Sequence, residues 1–179
     1  MVDPISRQLL FHRTLFLGLA LGVLFLRLLP LSSGTSGWPG PDITLAITLA
    51  WLLRRPEYVP AMLIVAVMLI EDLMFQRPPG LWALIVLGGT EFLRAREASL
   101  RDLSFLLEWL TVGVLLLAMV LANRMVLAVL MVPQPALGLS LLHFLATIAV
   151  YPLVVIASYI AVGLRRAAPG EVDAFGRRL

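Results

Sequence analysis

Residues 41–80 read PDITLAITLAWLLRRPEYVPAMLIVAVMLIEDLMFQRPPG, and the punctuation of this stretch decides the fold. Two apolar runs, 43–53 and 58–75, are separated only by Arg54-Arg55-Pro56-Glu57. A third opens directly after Gln76-Arg77-Pro78-Pro79-Gly80. Proline removes a backbone donor and blocks helix continuation, so each break reads as a tight turn between helices. The runs have almost no polar face. Such helices bury themselves in protein or in lipid.

The whole chain carries the same pattern. Of its 179 residues, 60% are hydrophobic and only 14% charged, with a mean hydropathy of +0.96. Soluble domains run at about 45–50% apolar and about 25% charged. That much apolar surface needs a bilayer as its solvent. Six apolar segments predict an all-α integral membrane protein with one polytopic domain over 1–179. The spans fall at about 11–31, 41–54, 58–75, 80–94, 104–130 and 137–164. The first reads as a retained span, too long for the apolar region of a signal peptide. The second and fourth fall short of the ~20 residues of a full crossing, so they thin the bilayer locally or sit as buried half-helices.

Arginine placement sets the orientation. There are 14 arginines and no lysine. With six crossings and a cytoplasmic N-terminus, eleven lie inside: Arg7, Arg13, Arg54, Arg55, Arg94, Arg96, Arg101, Arg165, Arg166, Arg177 and Arg178. Three lie outside: Arg27, Arg77 and Arg124. This is the positive-inside asymmetry, with both termini in. The pI near 10.2 follows from it and implies no nucleic-acid partner. Trp38 and Trp82 are expected at the outer interface, and Trp51 and Trp109 at the inner one. Inner arginines, notably Arg54, Arg55, Arg94 and Arg96, are candidates for anionic lipids or a cytoplasmic partner, although the positive-inside rule alone accounts for them.

Few residues suggest chemistry. Glu71 and Asp72 end the third run, roughly 6 Å from the outer turn at ~1.5 Å per residue. Adjacent residues point about 100° apart, so they form no paired carboxylate site. They read either as a helix end, one side chain wet and one facing the bundle, or as a contact to a partner. Asn123 and Arg124 interrupt the fifth run near its outer end, where Arg124 snorkels or pairs with Glu71 or Asp72. His143 is alone in the sixth run, which favours one interhelical hydrogen bond over a proton relay. Pro152 should bend that helix. Glu91 with Arg94, and Glu97 with Arg101, read as solvated helix pairs. Gly18/Gly22, Ala46/Ala50 and Ala118/Ala122 read as internal packing seams, and Gly88-Gly89 as a packing notch. There is no cysteine, no metal cluster, no nucleophile set and no nucleotide loop, so neither an enzyme nor a cofactor is expected.

The order of motifs resembles the rod shape-determining protein MreD family of bacterial inner-membrane proteins. Pro41-Asp42 opens a short leucine-rich helix, Arg54-Arg55-Pro56-Glu57 follows, Asp72-Leu73 ends the next helix, and Pro79-Gly80-Leu81 opens another. The outer turn Met74-Phe75-Gln76-Arg77-Pro78 departs from that family's Ser/Gly-rich turn. The resemblance implies a non-enzymatic scaffold of the cell-elongation complex that builds side-wall peptidoglycan. It implies MreC as main partner, with links to MreB filaments, RodA and the elongation transpeptidase. It also implies a fold like the six-helix substrate-binding component of energy-coupling-factor transporters. On this reading Asp42, Glu71, Asp72 and Arg124 are the partner-binding candidates. The alternative is a substrate-capture subunit of such a transporter. That would need polar groups converging on an outer pocket, drawn from Asp42, Glu71, Asp72, Asn123, Arg124 and His143.

Overall fold

A computed structural model describes residues 4–29, 40–100 and 103–164, with side chains from residue 7 onward. The described residues are helical, with no strand. The helices are α1 (Pro4–Leu28), α2 (Ile43–Arg54), α3 (Ala61–Met74), α4 (Leu81–Ala95), α5 (Glu97–Leu100), α6 (Phe105–Val129) and α7 (Leu137–Val162). A 3₁₀ turn, Pro56–Tyr58, links α2 to α3.

Local chemistry sets these boundaries. Asp42 caps α2, its Oδ1 accepting from the Leu45 N–H at 3.1 Å. Arg55 precedes a proline and leaves helical geometry, at φ −149° and ψ 80°, so α2 stops at Arg54. The third segment becomes helical only at Ala61, because Pro56–Tyr58 forms the 3₁₀ turn and Pro60 is extended. At the far end of α3, Gln76 takes φ 52° and lets the Arg77 N–H reach the Asp72 carbonyl at 2.9 Å. Met131 closes α6 in the same way at φ 55°.

Three helical stretches are long and apolar enough to cross a membrane: Arg7–Leu28, Phe105–Val129 and Leu137–Val162. They face outward, with only 17%, 28% and 22% of their apolar windows buried within the chain. A soluble monomer does not carry an apolar shell of this extent, which marks a helical membrane protein. Helices α2, α3 and α4 have 12, 14 and 15 residues, or about 18–22 Å each.

Helix α2 is the axis of the bundle. Ten of its twelve residues are buried, against α1, α4 and α7. Its shortness is tolerable for that reason, since its ends meet protein rather than lipid. It runs alongside α7 in the same direction: the Asp42 N–H bonds Thr147 Oγ1 at 2.9 Å, and Trp51 Nε1 bonds Ser158 Oγ at 3.1 Å. Helix α6 runs antiparallel to α7, joined by Trp109 Nε1 to the Ile148 carbonyl (2.9 Å) and by Arg124 to Ser140 (2.7 Å). Helix α3 packs mainly on α4. The contacts bring the starts of α2, α4 and α7 and the ends of α1, α3 and α6 to one pole, named here the Asp42 pole. The Arg54 pole is opposite.

Several packing expectations change. Trp51 is fully buried and Trp82 is 8% exposed, so neither sits in an interfacial belt. Both rings fill the bundle interior, Trp51 tilted against Phe16 at 5.7 Å. Trp38 lies outside the described residues. Ala46 and Ala50 are buried as expected. Gly18 and Gly22 are exposed, and a Cβ at either would touch nothing, so the α1 seam faces outward. Ala118 also faces outward and Ala122 is half-buried. Gly89, not Gly88, is the notch, because a Cβ there would collide with Met119 of α6.

Candidate functional site

The Arg54 pole is closed by side chains. Arg54 Nη1 meets Glu108 Oε1 at 2.9 Å and also donates to the Ala50 carbonyl at 3.1 Å. The Tyr151 hydroxyl donates to the same Glu108 oxygen. Arg54 and Glu108 are 8% and 3% exposed, and Tyr151 is fully buried. This triad ties α2, α6 and α7 together. Arg94 donates to the Pro56 and Val59 carbonyls at 3.3 and 3.0 Å and pairs with Glu91 at 3.0 Å. Arg13 donates twice to the Glu57 carbonyl. Both arginines clamp the 3₁₀ turn. Arg55 pairs loosely with Glu57 at 3.7 Å, and exposed Arg96 stacks on Phe92. Of the four arginines expected to offer charge at this face, Arg54 is buried in an ion pair and Arg94 is engaged with backbone. The Glu91–Arg94 pair is formed, while Arg101 lies outside the described residues.

The Asp42 pole is different. Asp42, Glu71 and Asp72 are 1%, 0% and 0% exposed. The expectation that one of the adjacent acids is wet is therefore corrected. Helix α3 has neighbours on two sides, and the 100° between Glu71 and Asp72 sends each to a different one. Asp72 Oδ2 accepts from the backbone N–H of Gly80 (3.1 Å) and of Ala83 (3.3 Å), capping α4 from another helix. Gly80 itself has φ 86° and no side chain to do so. Glu71 turns toward Asp42, Thr44, Arg27 and Arg77. Thr44 faces it without hydrogen-bond geometry, and neither Glu71 oxygen has a partner. Asp42 Oδ1 lies 3.6 Å from Arg27 Nη1.

Arg124 pairs with neither Glu71 nor Asp72. Its Nη1 donates to the Pro135 carbonyl (3.0 Å) and to Ser140 Oγ (2.7 Å), and Gln134 donates to its carbonyl. The α6–α7 turn brings these acceptors beside it, whereas the acids are turned into the bundle. His143 makes one hydrogen bond, Nδ1 to the Gly40 carbonyl at 2.7 Å, so its partner is the segment before α2 rather than another helix.

A cavity of about 390 Å³ opens at this pole among α1, α2, α4, α6 and α7. Arg27, Arg77, Arg124, Asp42, Asn123 and His143 supply its polar wall. Val120, Leu127 and Leu139 are among its apolar lining. Asp42, Asn123, Arg124 and His143 are thus brought together, while Glu71 and Asp72 are not on the wall.

Reading the sequence missed Glu108 and Tyr151. The available signal was a carboxylate four residues into an apolar run, which needs a partner at that depth. It also missed Arg27 and Arg77 as cavity residues, because helix ends far apart in sequence meet only in the folded bundle. No group of His, Cys, Asp and Glu suited to a metal ion occurs among the described residues. No protein-family model, curated protein or solved structure matches the chain.

Proposed function

We propose that this chain is a six-span scaffold of the bacterial cell-elongation complex, set in the inner membrane with both termini cytoplasmic, and that it binds the transmembrane helix of MreC. Through MreC it would join MreB, RodA and the elongation transpeptidase. The motif order supplies the identity of the complex. The observation that carries the docking step is the outward face of α1, where Gly18 and Gly22 are exposed and have no neighbour. Small residues one turn apart let a second helix approach closely in lipid. Internal packing does not use this face. In this reading Asp42 and Asp72 cap helices, and none of the three buried acids is a charged edge offered to the partner.

The test is co-purification of the tagged protein from native membranes in mild detergent. Recovery of MreC is expected, and Gly18→Leu with Gly22→Leu should abolish it while leaving thermal unfolding unchanged. Full recovery with the double variant would rule out this face. Recovery of an ATPase module without MreC would replace the scaffold reading altogether. Topology has its own test, because the chain has no native cysteine. Ala136→Cys and Ala98→Cys should label from opposite sides of the membrane, and labelling from one side would contradict six crossings.

The cavity at the Asp42 pole favours the second reading, a substrate-capture subunit. It supplies the converging polar groups that such a subunit requires.

A further inference from the structure

The cavity has more basic capacity than its own acids use. Three guanidinium groups reach it from separate elements: Arg27 from α1, Arg77 from the α3–α4 turn, and Arg124 from α6. One carboxylate, Asp42, lies on its wall; Glu71 and Asp72 lie off the wall, both feeling the Arg77 charge and Glu71 that of Arg27 as well. A guanidinium carries five N–H donors. Among the described residues, Arg124 engages only Nη1. Arg27 Nη1 is buried without a hydrogen bond, 3.6 Å from Asp42. Arg77 makes no side-chain hydrogen bond or ion pair among the described residues and rests against Phe75 and Trp82 at 5.4 and 5.9 Å. Trp82, 92% buried, also lines the cavity, and its Nε1 donor has no partner. Buried donors left without acceptors are costly, and two on one cavity wall, Arg27 Nη1 and Trp82 Nε1, leave room for an acceptor-rich group.

The geometry points to a binding site for a phosphate-bearing anion in this cavity. Guanidinium forks match phosphate oxygens in pairs, and three of them border the cavity beside the one acid on its wall. Asn123 adds a further amide. The apolar lining suits a hydrocarbon or glycerol portion beside the phosphate. That chemistry belongs both to an anionic phospholipid headgroup and to a soluble phosphate ester. The site stands apart from the α1 face, so loss of MreC binding says nothing against it.

The test uses the full chain in neutral detergent, titrated separately with phosphatidylglycerol, phosphatidylcholine, glycerol phosphate and inorganic phosphate. Thermal shift and native mass spectrometry give the readouts. Phosphatidylglycerol should bind better than phosphatidylcholine. Arg77→Gln should weaken binding about tenfold, the usual scale for one charge-assisted contact. Arg77→Lys should restore part of it. Arg96→Gln, at the other pole, should leave it unchanged. Arg77→Lys keeps the charge that Glu71 and Asp72 feel, so it should unfold at the native temperature and separates lost binding from lost stability. Binding of phosphatidylglycerol alone identifies a lipid ligand, and binding of glycerol phosphate as well identifies a headgroup that suffices by itself. Either supports the site. Equal binding of phosphatidylcholine, equal weakening by Arg77→Gln and Arg96→Gln, or no binding of any of the four would overturn it.

Discussion

The two poles of the bundle handle buried charge in opposite ways. At the Arg54 pole, Arg54, Glu108, Tyr151, Trp51 and Ser158 all have partners. At the Asp42 pole lie all the buried side-chain polar atoms without a partner among the described residues. They belong to Arg27, Asp42, Thr44, Glu71, Asp72 and Trp82. A satisfied network specifies one arrangement of helices, whereas buried groups without a protein partner leave room for water or a ligand to supply one. On the proposed reading, the frame belongs to one pole and ligand recognition to the other.

The largest effect should come from breaking the frame. Glu108→Leu or Arg54→Leu alone leaves a buried charge unpaired and should cost about 3–5 kcal/mol. The double variant should recover much of that loss in a thermal or denaturant cycle. If the losses simply added, the two charges would not form a buried pair. Trp51→Phe should cost less, about 1–3 kcal/mol, by stranding Ser158 and shrinking the core. Asp72→Ala removes the cap of α4 and should cost about 0.5–2 kcal/mol, while Asp72→Asn, which keeps an acceptor, should lose much less. The smallest effect has the opposite sign. Met131→Gly relieves a left-handed residue that is 90% exposed and should stabilise by about 1 kcal/mol.

Much of the frame is legible in the amino-acid sequence. The punctuation at Arg55-Pro56 and Pro78-Pro79-Gly80 places the turns, and five of the six apolar runs place their helices to within three residues, whereas α1 starts seven residues ahead of its run and α5 lies where the sequence shows no apolar run. The third run shows the limit, since its first residues form a 3₁₀ turn that hydropathy does not register. Periodicity also cannot say that α2 is central. An all-apolar helix looks the same in lipid and in protein, and only its neighbours tell. The candidate site is legible in part. Asp42, Asn123, Arg124 and His143 do meet at one cavity. Arg27 and Arg77 count in the sequence for topology alone, because their meeting depends on α1 and α3 ending at the same pole. Glu71 and Asp72 read as a helix edge, and adjacency hides that both are buried and that Asp72 caps α4.

The comparison between the poles is tested most directly by one matched pair, Glu71→Gln and Glu108→Gln, followed by thermal unfolding in the same detergent. Glu108→Gln should lower the midpoint clearly, because it strands the Arg54 charge. Glu71→Gln should leave the midpoint unchanged or raise it, since neither Glu71 oxygen has a hydrogen-bond partner among the described residues. Equal losses from both would contradict the division of the bundle into a locked frame and an open recognition pole.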